Sequence, residues 1–186
     1  MSQPKIQGTD PPRLRRAYFE CRHGQLHVHN AIPVGGGFDE LTTVLCLHAA
    51  GATGRSFLEL SKRLGRTRSV YSPDLPGEGE SDAAPAPPAT EGHAEAIADF
   101  LDSMRFRQVD LLGHGSGAAV AVELALLRPK VARRVVLLGT AQPPGWRGAM
   151  RVPQLKLPTL DAPEVTSAQL AQPDDELVAR VQRFLD

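Results

Sequence analysis

An α/β fold with a mostly parallel sheet flanked by helices is what this 186-residue sequence predicts. Three observations predict it. From residue 42 to residue 139, short β-rich runs alternate with helical patterns, the signature of parallel strands joined by right-handed crossovers. The run at 42–48 is apolar without alternation, as suits a strand covered on both faces. Loops rich in small residues follow the runs at 42–48, 69–74 and 109–114, at the carboxyl ends of strands, where chemistry gathers in such sheets.

The elements follow in order. Residues 1–12 read as a flexible leader and 13–186 as a single domain, a length that buries one sizeable core. The cluster Arg13, Arg15 and Arg16 reads as a solvated edge of that leader. Two alternating runs, A-Y-F-E-C-R at 17–22 and Q-L-H-V-H-N at 25–30, flank the turn His23-Gly24 and predict a hairpin. T-T-V-L-C-L-H at 42–48 is a strand, A-A-G-A-T-G-R-S a loop, and F-L-E-L-S-K-R-L at 57–64 an amphipathic helix. S-V-Y-S-P-D at 69–74 is a strand, and A-A-P-A-P-P-A at 83–89 is a connector. The helix at 93–104 spaces Ala94, Ile97, Ala98 and Leu101 three and four apart. V-D-L-L-G-H at 109–114 is a strand, and a helix leaves its turn from Ser116 to about Leu127, ended by Pro129. R-V-V-L-L-G at 134–139 and Q-L-K-L-P-T-L at 154–160 are strands, and a last helix starts near Asp174.

Composition removes several function classes. Lys+Arg and Asp+Glu both number 21, so the formal charge is zero, and the basic field that nucleic acid or an anionic membrane would need is missing. Neither of the two cysteines, Cys21 and Cys46, sits in metal-ligand or C-x-x-C spacing, so both read as reduced thiols and a cytoplasmic setting is expected. The first residues contain no apolar segment of the signal-peptide kind. No apolar run reaches spanning length. The Gly-rich turn at 113–117 lacks the Lys-Ser/Thr of a phosphate loop. No cofactor and no metal are expected.

Three co-linear stretches carry a resemblance. L-H-A-A-G-A-T-G at 47–54, P-D-L-P-G-E-G-E-S-D at 73–82 and G-H-G-S-G-A at 113–118 resemble, in order and spacing, the oxyanion loop, the D-x-x-G-x-G-x-S segment and the nucleophile elbow of α/β-hydrolases. The match covers roughly residues 14–140. P-D-D-E-L-V-A-R-V-Q-R-F-L-D at 173–186 resembles the family's last helix. Between the strand at 134–139 and that at 154–160 there is room for neither a helical cap nor the strand that carries the triad Asp. The resemblance therefore implies a capless, C-terminally shortened member. In it, 154–160 takes the slot beside 134–139 as a parallel neighbour and Trp146 packs against the sheet. Leu177, Val178, Val181 and Leu185 of the last helix cover the same edge.

The elbow departs from the family. Its central residue needs small neighbours two places either side, and Gly113 and Gly117 meet that need around Gly115. Centred on Ser116, the turn would put His114 at a crowded position. The nucleophile position is thus Gly115, and Ser116 reads as a first-turn helix residue whose backbone N–H sits where the family forms its oxyanion hole, together with the loop residues Ala49 and Ala50. The remaining candidates are Ser116 as a displaced nucleophile and His48 as a base, although the resemblance gives His48 a loop-shaping role. His114 points away from the pocket by the same resemblance. His93 starts a surface helix, and His23, His27 and His29 belong to the far hairpin. None of the six histidines lies after residue 114. Asp74 organises its own loop, and Asp161 at the sheet edge has no imidazole to orient. Without nucleophile and base, positioned amides give ~10³–10⁴ over water. The expected function is a pseudo-hydrolase that binds a small hydrophobic molecule or a protein partner, a homodimer being among the forms open to it, with no nucleic acid and no membrane. Alternatives are a cyclase- or lyase-type enzyme using the pocket and the oxyanion amides, a residual esterase, and a relic with no activity.

Overall fold

The computed structural model describes residues 10–36, 41–139 and 157–186. The described strands are β1 Arg13–Cys21, β2 Gly24–Ile32, β3 Thr43–Leu47, β4 Val70–Pro73, β5 Val109–His114, β6 Ala132–Leu138 and β7 Thr159–Ala162. The helices are α1 Leu58–Leu64, α2 Thr90–Ser103, α3 Ser116–Leu127, α4 Ser167–Ala171 and α5 Asp175–Leu185. All seven strands join one sheet in the order β1-β2-β4-β3-β5-β6-β7. β1 and β4 each pair antiparallel with β2. The other pairings are parallel.

Period-two geometry sorts the central strands onto two cores. Leu45 and Leu47 of β3, Leu111 of β5, and Val135 and Leu137 of β6 meet Ile97, Phe100 and Leu101 of α2 and the apolar body of α3. Val44 and Cys46, Leu112, and Val136 and Leu138 face the opposite way, toward Phe57, Leu60 and Leu64 at α1 and toward α4 and α5. Burial pushes the Cys46 thiol up to about 12, so it stays protonated, and both cysteines are free thiols. No described helix is long and apolar enough to cross a membrane.

Two sequence expectations need correction. Arg13, Arg15 and Arg16 are not leader residues: β1 starts at Arg13, and Arg13, Arg15 and Arg16 pair with Ile32, Asn30 and His29. An edge strand exposes its residues and carries charge against edge-to-edge pairing, so its sequence resembles a tail. The last strand is parallel to β6, from Val135↔Thr159 to Leu138↔Ala162, in the place expected for it, but it begins at Thr159 instead of residue 154. Residues 154–156 and Trp146 lie outside the described residues. α4 was not foreseen, although Thr166 and Gln169 form a reciprocal capping box at its start, a pairing written in the sequence as T-x-x-Q.

Helix α5 docks as its spacing implies. Leu177, Val178, Val181 and Leu185 are all buried in the core shared with Val136, Leu138 and Ala162. Its final carbonyls attract cations, as a helix C-terminus does: Arg133 and Arg134 both donate to the Leu185 carbonyl. Arg133 also holds the fully buried Asp110 carboxylate at 2.8 Å.

Candidate functional site

A single residue turns β5 into α3. Gly115 has φ 56° and ψ −125°, a conformation that side chains resist and glycine adopts freely. Its neighbours explain the remaining glycines. A Cβ on Gly113 would come within 2.4 Å of the Ala118 Cα, and one on Gly117 within 2.2 Å of the Leu47 carbonyl oxygen. The bend is therefore centred on residue 115, with Ser116 already the first residue of α3.

The loop after β3 lies directly against this bend. An ideal Cβ on Gly115 would sit 2.9 Å from the Ala49 Cβ. The Ala50 N–H donates to the Ser116 Oγ at 2.7 Å. One of the two amides able to cradle a developing oxyanion at such a bend thus already has a side-chain acceptor. The adjacent Gly51 N–H donates to the Glu78 carboxylate at 3.0 Å. The structure brings Ala49, Ala50, Gly115 and Ser116 together in one place. Glu78, which sequence reading passed over, joins them from the 74–82 loop. Its position between two glycines was the available signal.

His48 has both ring nitrogens engaged. Its Nδ1–H donates to the Ala49 carbonyl at 2.8 Å, and its Nε2 accepts the Leu75 N–H at 2.8 Å. These partners define one neutral tautomer, and burial holds the pKa below the ordinary imidazole value. No lone pair remains to take a proton from Ser116. His114 is also pushed down by burial and hydrogen-bonds toward Val165, away from the bend. His93 does not start its helix as expected, since α2 begins at Thr90; it is half-buried, and its Nδ1 is enclosed without a described partner. Asp161 pairs with Leu137 within the sheet.

Asp74 organises the neighbouring loop. Its Oδ1 accepts the Gly54 N–H at 2.7 Å, and its Oδ2 accepts the Glu80 N–H at 3.0 Å and the His27 ring at 2.9 Å. Burial alone would raise this carboxyl, but those three donors hold it below the usual carboxylate range. The hairpin is thus not remote: pairing of β2 with β4 delivers His27 to Asp74 and brings the His29 Nε2 to 3.9 Å. Among the described residues His27, His29 and Asp74 form the one group whose ligand atoms gather within 4.8 Å, as a metal would need. Sequence spacing hid it, because the residues meet only through strand pairing. The Asp74 oxygens are already taken by the loop, so the donor set serves structure first.

A family model described as the alpha/beta hydrolase family matches residues 44–186. The chain is 32% identical over 160 residues to lipase LipV of Mycobacterium tuberculosis, an alignment covering 85% of this chain and 54% of that protein. Among solved structures it is similar to the epoxide hydrolase CorEH, with a TM-score of 0.62 at 17% identity, over 69% of this chain and 43% of that one. It is also similar to the N-acyl homoserine lactonase AidH complexed with N-butanoyl homoserine, with a TM-score of 0.61 at 23% identity, over 69% and 46%. The chain spans about half or less of the length of the curated relatives it matches.

Proposed function

We propose that this chain, which belongs to the alpha/beta hydrolase family, acts by binding a small molecule or a partner protein and does not hydrolyse esters through an acyl-enzyme. The observation that carries the reading is Gly115 at the centre of the elbow, with φ 56°. Acyl-enzyme chemistry at this bend needs a side-chain nucleophile, and glycine offers no atom to attack with. Ser116 is a poor replacement, since its Oγ accepts the Ala50 amide and no described imidazole contacts it. The hydrolytic activities in the names of the relatives belong to those proteins. Glu78 favours a second reading, a non-hydrolytic enzyme, because its carboxylate lies at the amide loop through Gly51.

The test is a panel of acyl esters with wild type and Gly115→Ser side by side. The substitution supplies an oxygen but no base, and a general base contributes ~10²–10⁴ in rate. Neither protein is expected to exceed background hydrolysis by more than the amides alone provide. Turnover by either at the level of ordinary esterases would overturn the reading.

A further inference from the structure

Strand pairing puts two histidines and a carboxylate on one side of the sheet. His27 and His29 are two residues apart in β2 and so share a face. β4 runs antiparallel beside them, with Ser72 opposite His29. The Asp74 N–H donates to the His27 carbonyl at 2.8 Å, which carries the ladder one residue further and sets Asp74 opposite His27. On the other flank β1 places Tyr18 opposite His27 and Arg16 opposite His29. His27 and Asp74 are buried, while the His29 side chain is 21 % exposed. The group is thus closed toward the sheet and open to solvent at His29.

Its donors suit a metal. The two imidazoles meet edge to face, with centroids 4.6 Å apart. The His27 Nδ1 lies 2.9 Å from the Asp74 Oδ2, and the His29 Nε2 lies 3.9 Å from the Asp74 Oδ1. Ligand atoms tetrahedrally placed about 2.0–2.1 Å from a zinc ion stand about 3.3 Å apart, so the two separations bracket what an ion requires. An ionised carboxylate has about four acceptor sites. The Gly54 and Glu80 amides and the His27 ring use three of them. An ion that takes the place of the His27 Nδ1 proton leaves both amide bonds made, and the ring keeps a hydrogen on Nε2. Two imidazoles with one carboxylate select first-row transition ions over magnesium and calcium, which prefer oxygen donors. The surrounding charge is mixed. Glu80 accepts the Tyr18 hydroxyl at 2.9 Å and pairs with Arg16 at 3.6 Å, so that guanidinium faces a carboxylate. Arg55 borders the same cavity as His29 and opposes a cation there.

We propose that His27, His29 and Asp74 form a site for a divalent transition-metal ion of the zinc type, entered from solvent at His29 and completed by water. The ion ties β2 to the 74–82 loop that carries Glu78. The site is separate from the elbow and does not depend on whether the elbow is silent.

Calorimetric titration of zinc into the full, untagged chain at neutral pH, after treatment with a chelator, tests the proposal. The expected result is saturable binding of one zinc ion per chain, with magnesium in excess failing to compete. Cobalt(II) should bind the same site and show the visible bands of a nitrogen-ligated ion. Zinc should also raise the melting temperature, as any ligand of the folded state alone does. His29→Gln should weaken zinc at least about tenfold, as the loss of a ligand does, and His27→Gln should abolish binding. Melts of the metal-free variants confirm folding; His29, being partly exposed, is the milder change. Arg55→Gln should tighten zinc, because it removes a positive charge beside His29, a gain that a purely structural cluster would not give. His23→Gln, in the β1–β2 turn, should leave binding unchanged. Absence of saturable zinc binding, equal competition by magnesium, or binding that His29→Gln leaves intact overturns the proposal. No outcome of this titration bears on ester turnover.

Discussion

At Gly115 a backbone φ of 56° meets a close neighbour, Ala49, whose Cβ would stand 2.9 Å from any Cβ introduced there. Glycine removes both the conformational cost and the clash. A residue with a side chain held at positive φ carries ~1–3 kcal/mol of strain. Gly115→Ser should therefore lower stability by about that amount, and the melting temperature by several degrees for a domain of this size. A variant that melts at or above the wild-type temperature would show that the Ala49 loop gives way and that the bend is not strained. The companion feature is Ser116, whose hydroxyl accepts the Ala50 N–H. An oxyanion would compete with that hydroxyl for the amide.

At the scale of elements, β7 and α5 close the far edge of the sheet. β7 is the terminal strand of the order, and α5 covers Val136, Leu138 and Ala162 with four buried side chains. Deleting residues 173–186 removes this cover and leaves exposed apolar surface beside an edge strand, which invites pairing with other chains. Size-exclusion chromatography should show the truncated chain aggregated, without a cooperative melt; a monomeric, cooperatively melting product would contradict the packing. β5 and α3 were legible in the sequence almost to the residue, because the glycines at 113, 115 and 117 permit only one placement of the turn. The start of β1 was not, because an edge strand bearing Arg13, Arg15 and Arg16 has the composition of a solvated tail. β7 was legible in its slot beside β6 but not in its bounds: the run at 154–160 read as a strand, and β7 starts at Thr159. The His27–Asp74 contact was illegible for a different reason: it depends on β2 pairing with β4, and no local pattern encodes that adjacency.

Over the whole molecule, burial sets a pH dependence. His29, His48, His93 and His114 are all held below the ordinary imidazole pKa, with burial as the largest cause. The unfolded chain takes up protons on these rings near pH ~6.5 while the folded chain resists, so the unfolded state binds more protons and stability falls as pH drops from ~7 toward ~5. Asp74, held low by the Glu80 and Gly54 amides and the His27 ring against the opposing effect of burial, adds a second loss at more acidic pH, as its folded-state value is crossed. Melting temperatures measured from pH 8 to 4 should decline below ~7, and His48→Gln should flatten part of the slope. A profile that is level or rises toward acid would contradict this. The central claim, a hydrolase scaffold that does not form an acyl-enzyme, is tested most directly by incubating the full chain with a fluorophosphonate and reading its intact mass. The account predicts an unmodified mass. A stoichiometric adduct that maps to Ser116 would contradict it.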